Sequence, residues 1–161
     1  MFARCRLLIA LAVGMAAGAG HAASAPSITF ANPVAHPSLG EVSMATFTLT
    51  STQDDTLTRV RATCCTAVEM HRNRLEKGIM RMRKIEELEL PAGQEVILSG
   101  KKEDAVHLML IAPKKPLVIG QTVTLTFTFA HAPAQTVSFP VRGLATRASG
   151  GSETNHLHHH H

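Results

Sequence analysis

The chain has 161 residues, 45% hydrophobic and only 4% aromatic, with neither Trp nor Tyr and a formal net charge of +4 at pH 7. That length supports one hydrophobic core once the end segments are set aside, and is marginal for two. Basic residues without interleaved aromatics offer no stacking platform for nucleic acid. Three aspartates, Asp54, Asp55 and Asp104, and no Gly-x-Ser-x-Gly elbow argue against hydrolase chemistry.

The chain opens on Arg4 and Arg6, an apolar stretch over residues 7–17, and small residues at Gly20-His21-Ala22 or His21-Ala22-Ala23. This is the pattern of a cleaved signal peptide over residues 1–22. A membrane span needs about 20 apolar residues, so export without an anchor is expected. No Cys follows the apolar core at the cleavage region, which argues against a lipoprotein. Loss of Arg4 and Arg6 brings the net charge of the mature chain from +4 to near +2.

Beyond the leader the chain reads as strands. Candidates lie at residues 28–30, 42–50, 57–62, 67–72, 80–85, 95–98 and 106–111. Residues 122–129 alternate threonine with apolar side chains, and Val137, Phe139 and Val141 repeat the period of two that marks a half-buried strand. Breaks fall at Gln53-Asp54-Asp55, Pro91-Ala92-Gly93, residues 113–116 with Gly120, and Ala132-Pro133-Ala134. Only residues 72–77 look locally helical. Short strands at regular spacing favour an all-β sandwich of two antiparallel sheets or a small barrel, as one domain over residues 26–145.

Four side chains carry the chemistry: His71, Met82, His107 and Met109. His107-Leu108-Met109 sits in an apolar strand pattern, where alternate residues share a face, so His107 and Met109 point the same way. Met80 and Met82 share a face in the same manner, with Met80 a substitute ligand or a wall of the site. Thioether is a soft donor that Mg, Ca and Mn refuse and that Zn rarely takes, whereas Cu(I) accepts it together with imidazole. The expected cargo is Cu(I).

His71 precedes Met82 by a gap of ten residues, and His107 begins a His-x-Met step; Gly78 and Leu90-Pro91-Ala92-Gly93 fall between as further landmarks. In this order the chain resembles the periplasmic copper chaperones called PCuAC proteins, with the signature His-x10-Met-x21-His-x-Met, over residues 28–141. Here 24 residues rather than 21 separate Met82 from His107, and the polar stretch 100–104 is where the surplus is expected, at a hairpin tip. The resemblance implies a Greek-key, cupredoxin-like β-sandwich in the periplasm. It further implies a monomeric chaperone, not an enzyme, that gives copper to the copper centre of a respiratory cytochrome oxidase, with a Sco-type thiol protein as a further partner. A copper storage or resistance protein is the competing function.

Other residues have blander readings. Met70 and Met44 are expected in the core, and His36 and His131 in solvated loops. Cys64-Cys65, the two cysteines left after the leader, read as strand neighbours pointing to opposite faces, where a disulfide is hard to form; the competing readings are extra copper ligands or a thiol oxidoreductase pair. Arg72, Arg74, Lys77, Arg81, Arg83 and Lys84 surround two ligands and form either a docking face for an acidic partner or an ordinary solvated surface. The tail at residues 146–161, with His156 and His158 to His161, is either an expression tag or a native collector suited to Cu(II).

Overall fold

In the computed structural model, residues 24–100 and 102–143 are described; the expected signal peptide and His-rich tail lie outside them. Ten strands follow in order: β1 (Ile28–Ala35), β2 (Val42–Ser51), β3 (Asp55–Ala62), β4 (Cys65–Glu76), β5 (Ile79–Ile85), β6 (Leu88–Leu90), β7 (Glu95–Leu98), β8 (Val106–Pro113), β9 (Thr122–Phe129) and β10 (Gln135–Pro140). One sheet runs β1-β2-β8-β4-β5 with β7 also on β2, and the other runs β10-β9-β3-β6. The named strand pairs are all antiparallel. The all-β, cupredoxin-like sandwich expected from the sequence is what forms.

Alternation decides which face of each strand is inside. In β2, Ala45, Phe47 and Leu49 are buried while Met44, Thr46 and Thr48 between them are only half-buried. Along β9, Val123, Leu125, Phe127 and Phe129 go in and the threonines go out. Phe47 and Phe127 meet across the two sheets with ring centroids 5.4 Å apart, and Phe139 meets Phe47 edge-on at 5.3 Å. Each such ring contributes about 1.5–3 kcal/mol by leaving water.

Residues 72–77 do not form the expected helical turn. Arg72 to Glu76 continue β4, paired with β5, and Lys77-Gly78 close the hairpin with φ of 51° and 79°. Two consecutive positive φ values are what a two-residue type I′ turn requires, and such a turn matches the twist of its strands. Local helical propensity is worth only tenths of a kcal/mol per residue, and cross-strand pairing outweighs it. The short β6 went unforeseen because only Leu88 and Leu90 carry its inward face.

The surplus at residues 100–104 also differs from the expected hairpin tip. β7 and β8 both pair with β2, Leu98 opposite Phe47 and Leu108 opposite Ala45. They are one strand line along β2, interrupted by an excursion whose described residues are 99–100 and 102–105.

Asp55 ties the second sheet to its far turn. This buried carboxylate accepts hydrogen bonds from the backbone N–H groups of Thr56, His131 and Ala132 at 2.7, 3.0 and 2.8 Å. Burial alone would raise its pKa, but the three donors outweigh burial and hold it below the usual carboxylate value. Asp55 therefore contributes stability above an unfolded pKa near 3.9, and that contribution is lost as pH falls through its lower native value. Asp55→Asn should cost about 1–3 kcal/mol at neutral pH. Thermal melts should show that difference shrinking below about pH 4; a pH-independent difference would mean that the charge is irrelevant.

Candidate metal centre

β8 lies third in its sheet, between β2 and β4. Its Leu108 and Leu110 are fully buried toward the other sheet, so His107 and Met109 are turned to the outer face. His71 on β4 is the direct cross-strand partner of His107, and Met82 on β5 is the partner of Asn73, two residues along from His71. The four sequence-predicted residues thus share the outer face of three adjacent strands. Met70, flanking His71, faces the core as expected.

A hollow of about 700 Å³ opens on this face, and Met80, Met82, His107 and Met109 line it together with His36 and Met44. His71 does not line it: its Nε2 lies 2.9 Å from Glu69 Oε2. Three of the four expected ligands therefore meet in one hollow, and the fourth stands beside it, held by a carboxylate. That contact with His71, more than Lys84, keeps the Glu69 pKa low against the effect of burial. Met80 lines the hollow with Met82, and their exposures of 42% and 52% leave that rim open to solvent.

His107 is the buried member. Its Nδ1 lies 3.3 Å from Met44 Sδ, and its Nε2 is buried without a hydrogen-bond partner. Burial, and then the neighbouring His71, push its pKa down, so the neutral ring with a free lone pair is favoured. An unsatisfied buried polar nitrogen costs about 1–3 kcal/mol, a cost that a bound cation would remove. Among the described residues no group of three or more His, Cys, Asp or Glu is placed to hold a metal ion. The donor set is thioether and imidazole, which fits a soft cation.

Two contributors were missed. Met44 lies opposite Met109 on the outer face, not in the core, and His36 lines the hollow rather than a solvated loop. The signal for Met44 was available in the inward series Ala45, Phe47, Leu49, which turns Met44 outward. His36 had none, because the backbone bond from its N–H to Met44 carbonyl oxygen at 2.9 Å depends on the fold.

The cysteines are elsewhere. Cys65 pairs with Pro113 at the far end of β4, six residues or about 20 Å from His71, so neither thiol can share an ion with the hollow. They also do not point to opposite faces: Cys64 sits in the bend before β4, and the two sulfurs are 2.6 Å apart. Burial and the Cys64 thiol push Cys65 up to about 12. Four of the six residues of the expected basic face are in ion pairs, Arg81 and Arg83 on Glu76, Arg74 on Asp104 and Lys84 on Glu69, so three carboxylates offset six cations and the face stays basic. Among the described residues only Arg72 and Lys77 of the six have no carboxylate partner.

An antiparallel sandwich with soft donors on the outer face of its larger sheet defines the class: this is the fold of PCuAC domains. The chain belongs to the LpqE-like lipoprotein family, which matches residues 26–141. It is similar to the copper-bound PCuAC domain of PmoF2, at 16% identity over 73% of this chain and 93% of that one, with a TM-score of 0.58. The apo PCuAC domain of PmoF1 aligns at 14% identity over 73% and 94%, with a TM-score of 0.59. The Cu(I) form of DR1885 from Deinococcus radiodurans aligns at 23% identity over 78% and 83%, with a TM-score of 0.54. No curated protein matches the chain. Membership in a lipoprotein family agrees with export.

The excursion between β7 and β8 walls the hollow through Ser99 and Gly100. Asn73, buried beneath it, donates from Nδ2 to Lys102 carbonyl oxygen at 2.9 Å, and its backbone binds Ala105 and Asp104. Asn73→Ala should cost about 1 kcal/mol and speed amide hydrogen exchange at Asp104 and Ala105, while Leu108 and Leu110 keep their protection. Unchanged exchange at Asp104 and Ala105 would show that the backbone alone holds the wall.

Proposed function

We propose that this protein is an exported, monomeric Cu(I) chaperone that holds one ion on the outer face of its larger sheet and gives it up by ligand exchange. The observation that carries this reading is the unpartnered, buried Nε2 of His107, a residue that lines one hollow with His36 and the thioethers of Met44, Met80, Met82 and Met109. Copper-bound proteins of the same fold support it. Thioethers and neutral imidazoles carry no charge and, unlike thiolates, do not oxidise to disulfides in an oxidising compartment. His107 and Met109 anchor the ion, Met82 closes the coordination from the rim, and His71 joins on leaving Glu69.

Exposure favours delivery over storage. Met80 and Met82 present their sulfurs at the sheet edge, so an acceptor can replace one ligand at a time without releasing the ion to water. A storage protein gains nothing from such an open rim. The proposed acceptor is the copper centre of a cytochrome oxidase, with a Sco-type thiol protein as a further partner; no catalytic reaction is assigned. Cleavage after residue 22 would release the protein into the periplasm, and the tail histidines would add a separate Cu(II) site.

Anaerobic competition titration of the mature protein should give one Cu(I) per chain, and His107→Ala or Met109→Leu should each weaken binding at least about tenfold. Both side chains lie on the outer face, so circular dichroism should be unchanged. Undiminished affinity in both variants would refute the site. Loaded protein mixed with the soluble copper domain of an oxidase subunit should transfer its ion, and retention would favour storage.

A further inference from the structure

β8 has a neighbour on each side, and each neighbour brings the same pair of donor types. On the β4 side are His71 and, one strand further, Met82. On the β2 side are Met44, opposite Met109, and His36, whose backbone pairs with Met44 at the end of β1. We propose that His36 and Met44 form, with His107 and Met109, a second two-imidazole, two-thioether Cu(I) position on the β2 side of β8, alternative to the one made with His71 and Met82. The inference deepens the chaperone reading and rests on it. Because His107 and Met109 are common to both, the protein still carries one ion at a time.

Three observations favour the β2 side. The 3.3 Å between His107 Nδ1 and Met44 Sδ is the separation that metal–nitrogen and metal–sulfur bonds of about 2.0 and 2.3 Å subtend at an angle of about 100°. One soft ion can therefore bind both atoms with little movement. His36 Nε2 contacts Thr46 Oγ1 at 3.3 Å, while its Nδ1 is buried with no partner, a second orphaned imidazole nitrogen on a residue that lines the same hollow. On the β4 side, by contrast, His71 must break its 2.9 Å contact with Glu69 before its Nε2 can bind.

The second position also has its own exit. His36, Met44 and Met109 line both the hollow and an adjoining apolar trough formed by Pro37, Leu39 and Val42. Leu39 is 87% exposed at its mouth. An ion moving from Met82 to Met44 keeps Met109 and the His107 ring, exchanging Nε2 for Nδ1 while the ring proton passes from Nδ1 to Nε2 through solvent. Loading at the sheet edge and unloading at the trough then use different faces of one site.

The test uses the mature protein with methionine methyls labelled with carbon-13, titrated anaerobically with Cu(I) alone. The double variant His71→Ala, Met82→Leu should still bind one Cu(I), within about tenfold of the parent affinity, with the Met44 and Met109 methyl signals shifting. The Met70 methyl, buried on the opposite face, should hold its position and reports that the variant is folded. Should the double variant misfold, the single variants replace it. Adding Met44→Leu and His36→Ala should abolish binding. Loss of binding in the folded double variant while the parent binds would overturn the second position and leave the chaperone reading intact. Retained binding with an unmoved Met44 signal would overturn it equally. Failure of the parent to bind Cu(I) would overturn both.

Discussion

The site depends on the alternation of one central strand. β8 is paired on both sides, so it can neither slip nor twist away without breaking two ladders, and a slip by one residue would exchange its faces. Leu108 and Leu110, both fully buried, fix which face is inward. The hydrophobic core thereby sets the direction of His107 and Met109 more firmly than any contact those two make with each other. Everything else on the outer face is placed by register against them: His71 opposite His107, and Met44 and Glu69 opposite Met109.

A site on an outer face trades burial for access, and the chain handles the two halves differently. His107 is kept at 6% exposure on the outer face of the sheet, in a hollow that Asn73, Ser99 and Gly100 also line. Burial pushes the pKa of this imidazole down, and its Nε2 has no hydrogen-bond partner. Met82 and Met80, out on the edge strand, receive no cover. A deep anchor and an exposed lever are what stepwise exchange requires, since the incoming ligand must reach the ion before the last donor lets go. The ion pairs at the hairpin add little stability, because exposed pairs of this kind are worth about 0–1 kcal/mol.

Much of this was legible in residue order. The two-residue period of β2, β8 and β9 was plain, and so was the shared facing of His107 with Met109 and of Met80 with Met82. Residues 72–77 misled because Arg, Leu, Glu and Lys favour a helix when read alone, whereas the Lys77-Gly78 turn and pairing with β5 impose a strand. Met44 was misplaced by treating an apolar residue in a strand as core, although Ala45, Phe47 and Leu49 already claimed the inner face. His36 and the engagement of His71 by Glu69 were not legible at all. The first needs the end of β1 laid beside β2, and the second needs a rotamer.

The interruption between β7 and β8 shows how such a site accommodates extra chain. Three surplus residues within a paired strand would shift the register beyond them and misplace His107 against His71. Here the surplus leaves the sheet at Ser99 and returns at Ala105, so Leu98 and Leu108 still face Phe47 and Ala45 on β2. Loop length costs little entropy once the ends are fixed, and Asn73 fixes them by binding Lys102, Asp104 and Ala105 from below. The excursion is therefore a wall tied to β4, the strand that presents His71. The longer spacing between Met82 and His107 follows as a consequence: the surplus stands in that wall and leaves the register of His107 against His71 unchanged.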